Sequence, residues 1–151
     1  MTKEVTVKQV SGITFVAKGN SNHWVVMDGS TDFGGSLAGS APKELLLMSL
    51  GGCTSSDVVS ILKKRRVPVQ NFELNVKGVE REEHPRIFTS IHIEYVFYGD
   101  GIEKADVERA IELSTTKYCS VSAILEASVP ITHSYRIEPA VAVSPSTVPV
   151  N

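Results

Sequence analysis

Apolar and polar positions alternate with a period of two along the start of the chain. "EVTVKQV" sets Val5 and Val7 on one side, "ITFVA" and "HWVVM" follow, and Gly12 and "KGNSN" punctuate them. This pattern predicts two or three antiparallel strands. "DGSTDFGGSLAGSAP" comes next, rich in Gly, Ser, Ala and Asp. A connection of that length inside a compact domain is expected to be functional or mobile.

The period then lengthens. Pro42 suits the first turn of a helix, no further proline occurs before Pro68, and "KKRR" at 63–66 puts positive charge at the negative end of the helix dipole. A helix from Pro42 to Arg66 would be roughly 36 Å long. From Leu45 to Leu50 it is apolar on almost every side, so its own domain or a second subunit is expected to enclose it. Gly51 and Gly52 cost about 1 kcal/mol each relative to alanine inside a helix. Another backbone or a substrate is therefore expected to approach there, and two like helices crossing at the glycines would account for them.

Alternation resumes in "FELNVKGV", with Phe72, Leu74 and Val76 inward, and in "RIFTSIHIEYVFY", with Ile91, Ile93, Tyr95 and Phe97 inward. The charged "EREEHPR" between them reads as a hairpin connection. Helical spacing of Val107, Ala110 and Ile111 predicts a second helix over 103–117, with Ser114 on the same face. "SVSAILE" predicts a short third helix capped by Ser120, and "ITHSYRI" a closing strand. The proline-bearing tail, about 138–151, is expected to be extended or disordered unless a partner orders it. No internal repeat is present, and the whole of 1–151 reads as one α+β domain.

Composition narrows the function classes. With 42% apolar and 21% charged residues and a net charge of −2, nothing points to nucleic acid or an anionic membrane as a partner. "MTKEVTVKQV" lacks the apolar segment of a signal peptide and the apolar runs are short, so no spanning helix and a cytoplasmic location are expected. Cys53 and Cys119 are expected to be thiols at rest in that reducing compartment. His23, His84, His92 and His133 are scattered without ligand spacing, so neither a metal nor a cofactor is expected.

The two thiols carry the candidate chemistry. On a helical wheel Leu46, Leu50, Cys53 and Asp57 share a face, with Ser56 close by, which sets Cys53 where the greasy half of the helix turns polar. Pattern alone leaves open whether it fills a small core space or reacts. Cys119 directly precedes "SVSAIL", where free N–H groups and the helix dipole favour a thiolate. A cysteine packed beside a helix cap would look the same.

"PKELLLMSLGGCTSSDVVSILKKRR" followed by "KYCSVSAIL" resembles the OsmC/Ohr superfamily of peroxide-defence proteins, in the branch with "ELLLMALGGC"-type sequences. The resemblance covers nearly the whole chain. It implies an α+β fold, an antiparallel sheet packed on a long central helix, in an intertwined homodimer. It also implies that Cys53 attacks an organic hydroperoxide, that Cys119 closes a disulfide, and that a dithiol reductant, in one group a lipoylated protein, reopens it. The family's well-known members also use an arginine from the N-terminal strands and a glutamate ten residues before the reactive cysteine. Here no arginine precedes Arg65, and Lys43 stands at the glutamate's place with Glu44 beside it. Lys18, His23, Lys43, Glu44 and Asp57 are the candidates for activating or supporting the thiolate. The reading from a different class is an OsmC-like protein that binds an apolar small molecule at the dimer interface without turning it over.

Overall fold

The computed structural model describes residues 1–140, and the expectation for the tail beyond Ala140 lies outside them. The chain divides into two compact units, Met1–Met48 and a second beginning at Ser49.

In the first unit, β1 (Val5–Ser11), β2 (Thr14–Gly19) and β3 (Trp24–Met27) form an antiparallel sheet in the order β1-β2-β3. The long loop that follows is organised by one carboxylate. Asp28, 3% exposed, accepts hydrogen bonds from the Gly29 N–H (2.7 Å), the Ser36 hydroxyl (2.7 Å) and N–H (3.1 Å), the Ala38 N–H (3.0 Å) and the Thr14 hydroxyl (3.1 Å). Gly35 lies so close to Gly29 that a Cβ there would fall 2.0 Å from the Gly29 carbonyl oxygen.

Helix α1 (Pro42–Lys64) forms as the sequence predicts. The Glu44 carboxylate accepts the Ala41 N–H at 2.9 Å, satisfying a backbone donor at the helix start. At the other end Arg66 adopts a left-handed φ of 58°, the Arg66 N–H reaches the Lys63 carbonyl and the Val67 N–H reaches Leu62. That is the Schellman arrangement, with arginine where glycine is usual and Pro68 soon after to prevent continuation.

The second unit holds β4 (Asn71–Glu80), β5 (Phe88–Tyr98) and β6 (Ile131–Glu138) in the order β4-β5-β6. β4 and β5 pair antiparallel, but β6 runs parallel to β5, Ile91 opposite Ile131 and Tyr98 opposite Glu138. Where the resemblance implies an antiparallel sheet, the structure has two three-stranded sheets, the first antiparallel and the second mixed. Its crossover carries α2 (Lys104–Leu113), a π-helical turn over Ser114–Tyr118, and α3 (Ser120–Glu126). The second predicted helix therefore stops short of Lys117 and changes its winding.

Core residues follow the predicted alternation. Ile91, Ile93, Tyr95 and Phe97 are buried on β5, Val107 and Ala110 on α2, and Leu50, Thr54, Val58 and Leu62 form the buried stripe of α1. By length and composition alone α1 is apolar enough to cross a bilayer, which the short apolar runs had not led us to expect. Its buried stripe is also what a core helix needs. At Gly51 a Cβ would meet Val76 Cγ2 at 3.3 Å and Leu74 Cδ2 at 3.4 Å, so the close approach is made by β4 side chains. A Cβ at Gly52 would meet nothing within 4 Å outside the backbone of its own helix. Nor does the single chain enclose the first half of α1, where Leu46 is 39% and Met48 55% exposed.

Hydrogen bonds from the Ser36 hydroxyl and the Ala38 N–H hold the Asp28 carboxyl well below its ordinary value of 3.8, against the opposing effect of burial. A carboxyl lowered on folding adds stability above its unfolded pKa, and that stability is lost as pH falls below about 3.8. Thermal melts of the wild type and Asp28→Asn from neutral to strongly acid pH should show the variant less stable at neutrality, with the gap narrowing in acid. Parallel curves would refute this role for Asp28.

Candidate functional site

Cys53 and Cys119 meet in the second unit. The two Sγ atoms and a carboxylate oxygen of Asp57 all lie within 4.8 Å of one another. Cys53 and Asp57 are one turn apart on α1, while Cys119 arrives from the junction between the π-turn and α3. Cys53 is half-buried and Cys119 is 3% exposed.

Serine 114 builds that junction. Its carbonyl accepts the Cys119 N–H at 2.8 Å, closing the wide π-turn, and its buried hydroxyl donates to Asp57 Oδ2 at 3.2 Å. Single π-turns occur often at functional sites. Cys119 itself, in extended backbone at φ −73°, is the N-cap of α3, and its Sγ accepts the Ser122 N–H at 3.4 Å. The cap was expected at Ser120, which instead forms the first helical residue. Thr54, fully buried one residue after Cys53, places its Oγ1 3.4 Å from Cys119 Sγ.

The two thiols feel opposite environments. Burial pushes the Cys53 thiol up, Cys119 and the Asp57 charge push the same way, and the Val121 N–H only partly opposes them. Burial also pushes Cys119 up, but the Ser122 side chain, the Thr54 hydroxyl, the Ser122 N–H and the Cys53 thiol outweigh it, so Cys119 lies below its ordinary value. The Ser122 hydroxyl is near enough to contribute, yet it makes no hydrogen bond of ordinary geometry and is buried without a partner. Behind them Tyr95, fully buried, is hydrogen-bonded to His133 Nδ1 at 3.1 Å. Burial, reinforced by Cys119, keeps the tyrosine protonated, and burial lowers His133 towards its neutral form. An opening of about 350 Å³ lined by Asp57, Ile61, Lys64, Leu113 and Tyr118 reaches this cluster at Asp57.

Of the residues singled out in the sequence, the structure brings Cys53, Cys119 and Asp57 together. The others are engaged in the first unit. Lys18 donates to Asn22 Oδ1 at 2.8 Å and stands 5.0 Å over the Trp24 ring, His23 is exposed beside β3, Glu44 caps α1, and Lys43 is exposed in the first turn of that helix. Sequence reasoning missed Thr54, Ser114 as an anchor, and Ser122. The one available signal was that Thr54 falls on the buried stripe of α1 with an oxygen to satisfy.

Two small sheets, a long helix and a pair of close thiols, one half-buried and one buried, define a mixed α+β thiol protein. A family model described as OsmC-like protein matches residues 34–134, and the chain belongs to that family. Protein YhfA of Escherichia coli K12 is 44% identical over 134 residues, spanning 89% of this chain and 97% of its own. The crystal structure of a hypothetical protein from Aquifex aeolicus VF5 is 36% identical, with a TM-score of 0.81 over 93% of this chain and 99% of that one. The organic hydroperoxide resistance protein OhrB of Bacillus subtilis shares the fold at 11% identity and a TM-score of 0.63, over 90% of this chain and 98% of its own.

Removing the Thr54 hydroxyl withdraws one of the groups that lower Cys119. In Thr54→Val the rise of thiolate absorbance assigned to Cys119, read in a Cys53→Ser background, should move to higher pH, and Thr54→Ser should restore it. An unmoved titration curve would show that Thr54 does not act on the thiol.

Proposed function

We propose that this protein reduces organic hydroperoxides in a reducing compartment such as the cytoplasm, with Cys53 attacking and Cys119 resolving. The observation that carries the reading is the meeting of two thiols, far apart in sequence, within 4.8 Å in an OsmC-like chain. Similarity in fold to an organic hydroperoxide resistance protein supports it.

Cys53 is the more accessible sulfur and therefore the attacking one. Its proton has two acceptors at hand, Cys119 Sγ and the Asp57 carboxylate. As Cys53 Sγ attacks the distal peroxide oxygen, an S–O bond forms and the O–O bond breaks. The proton goes to the departing alkoxide, leaving an alcohol and a Cys53 sulfenic acid. Cys119 then attacks the sulfenic sulfur, the S–S bond forms and water leaves. Closing from within 4.8 Å to the roughly 2 Å of a disulfide asks for at most about 3 Å of movement, which a side-chain rotamer change can cover. A dithiol reductant, of which a lipoylated protein is one kind, restores both thiols by two exchange steps.

A homodimer belongs to this proposal. Val5, Val7 and Val10 on β1 and Leu46 and Met48 on α1 are exposed in the single chain, apolar surface of the kind a second copy would cover. A second reading, binding of an apolar small molecule without turnover, draws support from an opening of about 420 Å³ lined by Val59, Leu62, Val67, Val69 and Phe72.

One assay separates the two. With dihydrolipoamide as reductant, the wild type should consume an alkyl hydroperoxide catalytically, Cys53→Ser should not, and Cys119→Ser should complete a single round and stop. Equal rates for wild type and Cys53→Ser, or no consumption by either, would overturn the peroxidase reading in favour of the binding one.

A further inference from the structure

The sequence spacing of Cys53, Asp57 and Cys119 follows no metal-ligand pattern, but the fold assembles them into a donor set that does. Their two sulfurs and one carboxylate oxygen converge within 4.8 Å. Around a tetrahedral zinc ion, with Zn–S of about 2.3 Å, two sulfurs sit roughly 3.8 Å apart, so the three atoms need close by only about 1 Å. Cys53 and Asp57 stand at i and i+4 on α1, the spacing by which one helix face presents two ligands to a metal. The surroundings suit such a centre. Ser114 donates to Asp57 Oδ2 and so fixes the carboxylate, and the Ser122 N–H donates to Cys119 Sγ, the kind of outer hydrogen bonds that orient metal ligands. The Ser122 hydroxyl, buried and without a hydrogen-bond partner, puts a further oxygen beside Cys119.

We propose that the reduced protein binds one zinc ion per chain through Cys53 Sγ, Cys119 Sγ and an Asp57 carboxylate oxygen, with the fourth position left to water. Two thiolates select a borderline-soft ion over magnesium or calcium, and three protein ligands make an open site, not a closed structural one. Zinc and peroxide compete for the same sulfurs, so an occupied site protects the thiols from oxidation. The proposal requires the two thiols to be reduced and adjacent, and it does not depend on peroxide turnover.

Cobalt(II) titration of the reduced, metal-free, full-length protein tests it. A thiolate-to-cobalt charge-transfer band should grow and saturate at one metal per chain, with visible bands of tetrahedral form that disappear when zinc is added. X-ray absorption of the zinc-loaded wild type should show two sulfur and two lighter neighbours. Asp57→Asn should bind more than about tenfold more weakly. Absence of the thiolate band, saturation at one metal per two chains with four sulfur neighbours, or unchanged affinity in Asp57→Asn would each overturn the proposal. Because these readings are taken without peroxide, a protein that binds zinc but lacks turnover sinks only the peroxidase reading, and the reverse result sinks only this one.

Discussion

Serine 114 is the point on which the site depends. Its carbonyl closes the π-turn by accepting the Cys119 N–H, and its hydroxyl holds Asp57 on α1. One residue thereby fixes where the crossover ends and ties that end to the helix bearing Cys53. An ordinary α-helical continuation would rotate the following residues by about 100° per position and aim position 119 elsewhere. The wide turn places Cys119 in extended backbone at the head of α3, with its sulfur facing the Ser122 N–H and Thr54.

That placement divides the labour between the thiols. Cys119 is the more buried and the better supplied with hydrogen-bond donors, so the enclosed environment that would otherwise penalise a thiolate is offset there. Cys53 is the more open and has only the Val121 N–H to counter burial and the influence of Cys119 and Asp57. A sulfur that peroxide can reach thus stands beside one suited to hold charge. This arrangement draws only on groups in the second unit; of the residues first considered as activators, Asp57 is among them, whereas Lys18, His23, Lys43 and Glu44 belong to the first.

Much of the fold was legible because it rests on local periodicity. α1 could be bounded from Pro42 and the basic run, and the inward residues of β4 and β5 follow alternation, broken only where Val96 is buried between Tyr95 and Phe97. What escaped was set by contacts distant in sequence or by backbone geometry without a side-chain signature. The parallel pairing of β6 depends on register between residues forty apart in sequence, Ile91 opposite Ile131, joined by a long crossover. The π-turn has no propensity signal. Cysteine is not among the usual capping residues, so Ser120 looked like the cap that Cys119 in fact provides. Thr54 and Ser122 acquire meaning only once Cys119 is folded against them, and Glu44, read as a candidate support for the thiolate, is engaged by the Ala41 N–H.

The central claim is that Cys53 and Cys119 act as one reacting pair. Treating the fully reduced protein with one equivalent of an alkyl hydroperoxide and mapping its peptides by mass spectrometry tests this directly. The account predicts that both thiols are lost together in an intrachain Cys53–Cys119 disulfide. Accumulation of Cys53 in sulfenic or sulfinic form while Cys119 remains a free thiol would contradict it.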